Sequence, residues 1–146
     1  MKLKQLSLFL ENKPGTLSEP VRLLARHKCN ILALSIAEAR EFGILRLILR
    51  DWEHAAQLLE KNGFVVKVTE LVAVEVPDGP GGLAEILAPL GESGVNLEYM
   101  YGFTLPRENK GLLLFRFDDP GKAIAALQKA GANVRRSTDL FARLEA

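Results

Sequence analysis

Apolar residues alternate with polar or outward positions over Leu6, Leu8 and Leu10, and again over Val72, Val74 and Val76. A period of two marks a strand with one buried face. Each run leads into a Pro-Gly pair, Pro14-Gly15 or Pro80-Gly81, and then into apolar positions at helical spacing. These are Leu17, Val21 and Leu24 in the first case and Leu83, Ile86, Leu87 and Leu90 in the second. The first helix is expected to open at Thr16, with Glu19 completing a capping box. Pro20 is tolerable so near a helix start, whereas Pro89 removes an interior hydrogen bond and predicts a kink. Two strands follow each helix, at residues 31–38 with 44–50 and at 97–104 with 112–117. A second helix begins after Asp51 or Asp119, both good N-caps, with Pro120 at the favoured first position. It stops at Gly63 or Gly131, and fourth strands cover residues 64–69 and 133–136. Residues 139–146 are expected to form a short terminal helix.

The two halves are one unit repeated. Shifted by 66 positions, Pro14-Gly15 falls on Pro80-Gly81, Leu17 on Leu83, Leu24 on Leu90 and Asn30 on Asn96. After a two-residue insertion within residues 106–110 the shift is 68, and Gly43 falls on Gly111, Asp51 on Asp119 and Gly63 on Gly131. The matches sit at turns, caps and apolar positions, where a shared backbone demands them, and the insertion sits in a hairpin loop, which tolerates it. The order β-α-β-β-α-β, twice, predicts an α+β chain of two ferredoxin-like units with helices on one face of antiparallel sheets. The expected units are residues 1–70 and 71–146, joined through Glu70 with no flexible linker. Cores this thin gain from packing on each other or from dimerising.

Composition narrows the functional classes. At 48% hydrophobic and 25% charged residues the 146-residue chain is of folded, not disordered, type. Nineteen basic and 18 acidic residues leave a net charge of +1, which argues against a dominant phosphate-binding role such as nucleic-acid binding. Cys29 is the single cysteine, so no intrachain disulfide is possible. The N-terminal alternation reads as a strand and not a signal peptide, and no apolar run reaches membrane-spanning length. A cytoplasmic location and no membrane partner are expected.

Catalytic residues, metal ligands and cofactor motifs are not expected. His27 and His54 lie in different helices, and Cys29 lacks a partner at ligand spacing. Serine-nucleophile, Walker and Rossmann patterns are missing, and no paired carboxylates stand out. Two segments do stand out, Glu11 to Leu17 and Pro77 to Leu83, each joining a first strand to a helix start. They read either as Pro-Gly turns or as ligand loops in which helix N–H groups meet a carboxylate and Asn12 or Asp78 accepts from an ammonium. Asn30-Ile31 and Asn96-Leu97 are open to two readings as well: an Asn suited to a left-handed turn, or an amide facing the ligand. Tyr99, Tyr101 and Phe103 fall on Ala33, Ser35 and Ala37 in the repeat, facing away from the helices, and are expected to be largely covered by the other unit or a second chain.

The pattern Asn12-x-Pro-Gly-x-Leu, then Asn30-Ile31, then the Phe42-Gly43-Ile44 hairpin, resembles the ACT domain, an amino-acid-sensing module of metabolic enzymes. The second unit repeats it with Asp78, Pro80-Gly81, Leu83, Asn96-Leu97 and Gly111, so the resemblance covers nearly the whole chain. It implies a tandem regulatory sensor, not an enzyme, that binds a free amino acid between paired units and forms a homodimer. The regulated metabolic enzyme is then a separate chain, unless the protein only binds and buffers its ligand. Carried over by position, the ligand contacts are Asn12, Gly15, Thr16, Leu17, Asn30 and Ile31, with Asp78, Gly81, Leu83, Asn96 and Leu97 in the second unit. Leu10 and Val76 sit where serine-binding members carry a polar side chain, which favours an apolar ligand. Three rivals use the same fold. One is a protein-interaction adaptor. Another is a tandem RRM-like RNA binder, with Lys110-Gly111-Leu112-Leu113-Leu114-Phe115 as its stacking strand. The third is an acylphosphatase-type enzyme.

Overall fold

The structure is a computed structural model and describes residues 2–144. By its contacts the chain divides into two compact units, Lys4–Thr69 and Glu70–Leu144, with Lys2 and Leu3 grouped with the second. The described residues form seven strands and five helices. Residues 145 and 146, expected in the terminal helix, lie outside them.

The first unit contains β1 (Lys2–Glu11), α1 (Ser18–Arg26), β2 (Ala33–Ala39), β3 (Phe42–Ile48), α2 (Trp52–Lys61) and the opening residues of β4 (Val66–Pro77). Its strand order is β2-β3-β1-β4. The antiparallel register sets Leu6 opposite Leu47 and Leu8 opposite Leu45, so the period-two leucines of both strands share one face. That face packs against Leu23 and Leu24 of α1 and Ala55, Ala56 and Leu59 of α2. Ser7 and Phe9 lie on the other face with their partners Arg46 and Ile44. Gln5, fully buried on that face, donates from Nε2 to Thr69 Oγ1 at 3.0 Å.

The second unit repeats the plan with the rest of β4, α3 (Gly82–Ser93), β5 (Leu97–Leu105), β6 (Lys110–Phe117), α4 (Pro120–Lys129) and β7 (Asn133–Arg135), followed by α5 (Ser137–Leu144). Here β4 lies between β7 and β6, and β6 pairs with β5. Val72, Val74 and Val76 face Ile86 and Leu90 of α3 and Ala123 and Leu127 of α4. Phe115 and Phe117 stack in this core with centroids 5.4 Å apart. The insertion forms a short 3₁₀ turn at Pro106–Glu108, ending on left-handed Asn109. Both second helices end as expected, with Gly63 and Gly131 at φ 88° and 79°. Phe64 N–H reaches back to Leu59 and Ala132 N–H to Leu127, so the last carbonyls are satisfied.

Several expectations need correction. Helix α1 begins at Ser18, not Thr16, and has no side-chain cap. The Thr16 hydroxyl is spent on the turn, donating to the Glu11 carbonyl at 2.6 Å and lying 3.0 Å from that of Lys13, so no capping box forms. The buried residues of α1 are Pro20, Leu23 and Leu24, and Leu17 is exposed. In α3 only Ile86 and Leu90 are buried, while Leu83 and Leu87 are exposed. The helix continues through Pro89 to Ser93. The fourth strand of the first unit and the first strand of the second are one 12-residue strand, which runs through Glu70 without a turn. Asp119 caps its helix, but Asp51 makes no side-chain cap bond.

Candidate functional site

In each unit the loop after the first strand is tied to the neighbouring hairpin by main-chain groups. Asn12 N–H donates to the Glu41 carbonyl at 2.7 Å, and Asp78 N–H to the Asn109 carbonyl at 3.1 Å. Asn12 also donates from Nδ2 to the Arg40 carbonyl at 3.2 Å, which leaves its Oδ1 as an acceptor on an exposed loop. Gly15 and Gly81 follow with φ 87° and 90°, a left-handed backbone that suits only glycine well. Leu17 and Gly81 are the N-caps of α1 and α3, and neither helix has a side-chain cap. Both helix starts therefore offer main-chain N–H groups, although Gly82 N–H is already given to the Gly79 carbonyl at 3.3 Å and Pro20 has none. Lys13, its ammonium raised by a hydrogen bond to Glu11 at 2.7 Å and by that residue's charge, projects from the first loop.

The two loops differ in their surroundings. Gly15, Ser18, Glu19, Arg22 and Arg26 line a shallow groove of about 260 Å³ along α1. Beside the second loop a cleft of about 240 Å³ runs past Glu75, Gly82, Glu85, Lys110 and Asn133. A Cβ at Gly82 meets the Pro77 carbonyl oxygen at 2.7 Å, so this turn is too tight for a side chain.

Asn12, Gly15, Thr16 and Leu17 thus lie together on one loop, as do Asp78, Gly81 and Leu83. Asn30, Ile31, Asn96 and Leu97 do not join them within a unit. They lie at or just before the start of the second strand, at its far end, and the seven residues of β2 span roughly 20 Å. Ile31 and Leu97 pack against the cores, and the left-handed residues are Lys28 and Gly94, not the asparagines. Leu10 and Val76 are also core residues, buried on the helix side of their strands. Their apolar character therefore reflects packing, and the preference for an apolar ligand loses its support.

A feature the sequence reading passed over lies at that far end of the first unit. His27 closes α1, His54 sits in the first turn of α2, and helix packing brings them to one cleft of about 210 Å³ with Lys28, Asn30, Arg50 and Asp51. Burial, and then the nearby Asp51 charge, pushes the Cys29 thiol up from its usual pKa. Residues distant in sequence met here because α1 and α2 pack side by side, which spacing alone does not reveal. Among the described residues no group of three or more His, Cys, Asp or Glu is placed to hold a metal.

Tyr99, Tyr101 and Phe103 pair with Arg116, Leu114 and Leu112, on the face away from the helices, and are half-buried in the chain. Phe115, the ring of the RNA-binding rival, is fully buried in the core and offers no stacking surface. No helix among the described residues is long and apolar enough to cross a membrane.

A family model described as an ACT domain pair matches residues 1–140. The chain belongs to the ACT domain pair family. Among solved structures, protein BT0572 from Bacteroides thetaiotaomicron is 40% identical, with a TM-score of 0.90 over 97% of this chain and 96% of its own. The ligand-free regulatory subunit of aspartate kinase from Thermus thermophilus aligns with a TM-score of 0.64 at 16% identity, over 89% of this chain and 93% of its own. Aspartate kinase from Synechocystis aligns with a TM-score of 0.59 at 20% identity, over 91% of this chain but 26% of its own. At such identities the two kinase structures share the ACT fold with this chain and no more. No curated protein sequence matches the chain.

Proposed function

We propose that this ACT pair is a regulatory sensor of a free α-amino acid, acting on a separate metabolic enzyme and performing no catalysis itself. The observation that carries the reading is the repeated loop. Twice an Asn or Asp is clasped to the hairpin through its N–H, its side-chain oxygen is left exposed, and a left-handed glycine leads into an uncapped helix start. Such a loop pairs an acceptor for an ammonium with donors for a carboxylate a few residues apart, which matches the two charged ends of an amino acid. The fold shared with a regulatory subunit of aspartate kinase supports the same reading. Asn30 and Asn96 complete the site from a second chain.

Calorimetric titration with single amino acids tests this directly. Asn12→Ala or Asp78→Ala is expected to cost about 1–3 kcal/mol of binding by removing the ammonium's partner, with the fold intact.

Contact with a second copy is the companion proposal. Phe9 and Phe42 are each more than half exposed on the open face of the first unit, and Tyr99, Tyr101 and Phe103 are only half-buried on that of the second. A homodimer that covers them accounts for aromatic residues in those places. Tyr101→Ser should then lower the mass in solution or the melting midpoint, and unchanged values for both would remove the dimer from the account. The location we propose is the cytoplasm.

A further inference from the structure

The repeat provides a comparison within the molecule at the corner where the first helix of a unit ends and the second begins. In the second unit Asp118 closes that corner. Its Oδ1 accepts from Asn96 N–H at 3.0 Å and from Asp119 N–H at 2.8 Å, so one carboxylate joins main-chain donors from two segments. The neighbouring Asp119 caps α4 through Lys122 N–H at 3.1 Å. By the repeat, Asn96 corresponds to Asn30, Asp118 to Arg50, Asp119 to Asp51, Lys122 to His54 and Gly94 to Lys28.

In the first unit the closing acid is thus replaced by a base. Helix α2 has no side-chain cap, and no acceptor among the described residues takes the N–H of Asn30 or of Asp51. The carboxylate's place is the 210 Å³ cleft, with Leu49 and Cys29 behind it and Lys28, Arg50, His27 and His54 around it. His27 directs Nδ1–H to the Leu23 carbonyl at 3.1 Å, which leaves Nε2 as its other polar atom. Two cations, Lys28 and Arg50, outnumber one acid, Asp51, among the residues that line the cleft. Donors that bind a built-in carboxylate in one unit therefore face a basic cleft in the other.

We propose that the first unit binds a small oxyanion, a carboxylate or a phosphate, in this cleft. The N–H groups of Asn30 and Asp51 hold it as their counterparts hold Asp118, and Lys28 and Arg50 supply the countercharge. Apart from Asn30, which enters here through its main chain, the site uses none of the amino-acid loop residues, so the two proposals stand or fall separately.

The test is an amide NMR titration of the full chain with inorganic phosphate and, separately, with acetate. Saturable shifts are expected at Asn30 and Asp51, and none at Asn96 or Asp119, whose donors Asp118 occupies. Movement with phosphate alone identifies a phosphate ligand, and movement with acetate alone a carboxylate. Arg50→Asp installs the second unit's acid. It should weaken anion binding by about tenfold or more and move the Asn30 and Asp51 amides of the free protein in the direction the anion moves them. If that variant does not fold, Arg50→Gln gives the same loss of affinity without the built-in acid. Asn12→Ala should leave the titration unchanged, whatever it does to amino-acid binding. Still amides with both anions, or shifts unaffected by the Arg50 variants, would overturn the site.

Discussion

The two units hold their Pro-Gly ends in the same way and their opposite corners in opposite ways. At the Pro-Gly end both clasp an Asx main chain to a hairpin carbonyl and both turn through a left-handed glycine. At the corner, one unit has Asp118 joined to two N–H groups, while the other has Arg50 beside a cleft. Lys28 and Gly94 share a left-handed backbone at the two corners, and what differs there is the chemistry of Arg50 and Asp118. A feature kept in both copies is where a property common to both units is to be sought. A feature kept in one marks a property of that unit alone.

The cores give the strongest test of how alike the units are. Leu47 and Phe115 occupy the same repeat position and are both fully buried. Phe115→Ala is expected to cost about 3–5 kcal/mol and Leu47→Ala about 2–5 kcal/mol in urea denaturation. The former also removes the stack on Phe117. A loss below about 1 kcal/mol for either would mean that its core is not the one described.

The turns sharpen the comparison at a smaller scale. Gly82 occupies the place of Thr16, yet a Cβ there collides with the Pro77 carbonyl. Gly82→Ala should destabilise by about 1–3 kcal/mol through overpacking. Thr16→Ala removes only the hydroxyl's bond to the turn and should cost about 1 kcal/mol. Equal effects in thermal melts would show that the two loops are built alike in this respect as well.

At the corner, Asp118→Ala leaves two main-chain donors without their acceptor and should cost about 0.5–2 kcal/mol. Arg50→Ala should stay within about 0.5 kcal/mol, because Arg50 is exposed. The smallest effect concerns Cys29, whose counterpart is Val95. Its thiol is raised first by burial and then by Asp51, so alkylation should rise only above the pH of an ordinary cysteine. Asp51→Asn removes the lesser cause and should move that profile modestly toward lower pH. No movement would place Asp51 outside the thiol's field.

Much of this was legible in the residues. The repeat, the β-α-β-β-α-β order, the Gly63 and Gly131 stops and the outward aromatics follow from period, propensity and turn chemistry, which are local. What escaped was set by contacts between segments. Thr16 suits an N-cap, but its hydroxyl finds the Glu11 carbonyl across the turn, and the helix start slips to Ser18. Leu10 and Val76 looked like pocket walls because position along a strand does not say which face looks at a ligand. His27 and His54 looked unrelated because the packing of α1 on α2 is not written in either helix.

The central claim, that the repeated loop senses an amino acid, is tested most directly by the melting midpoint of the full chain against each of the twenty amino acids. A ligand that binds only the folded protein stabilises it by about 2.7 kcal/mol at a hundredfold excess over its dissociation constant. The account predicts a saturable rise with at least one amino acid, reduced in Asn12→Ala or Asp78→Ala. No rise with any amino acid at millimolar concentration would contradict it and leave contact between proteins as the work of these two units.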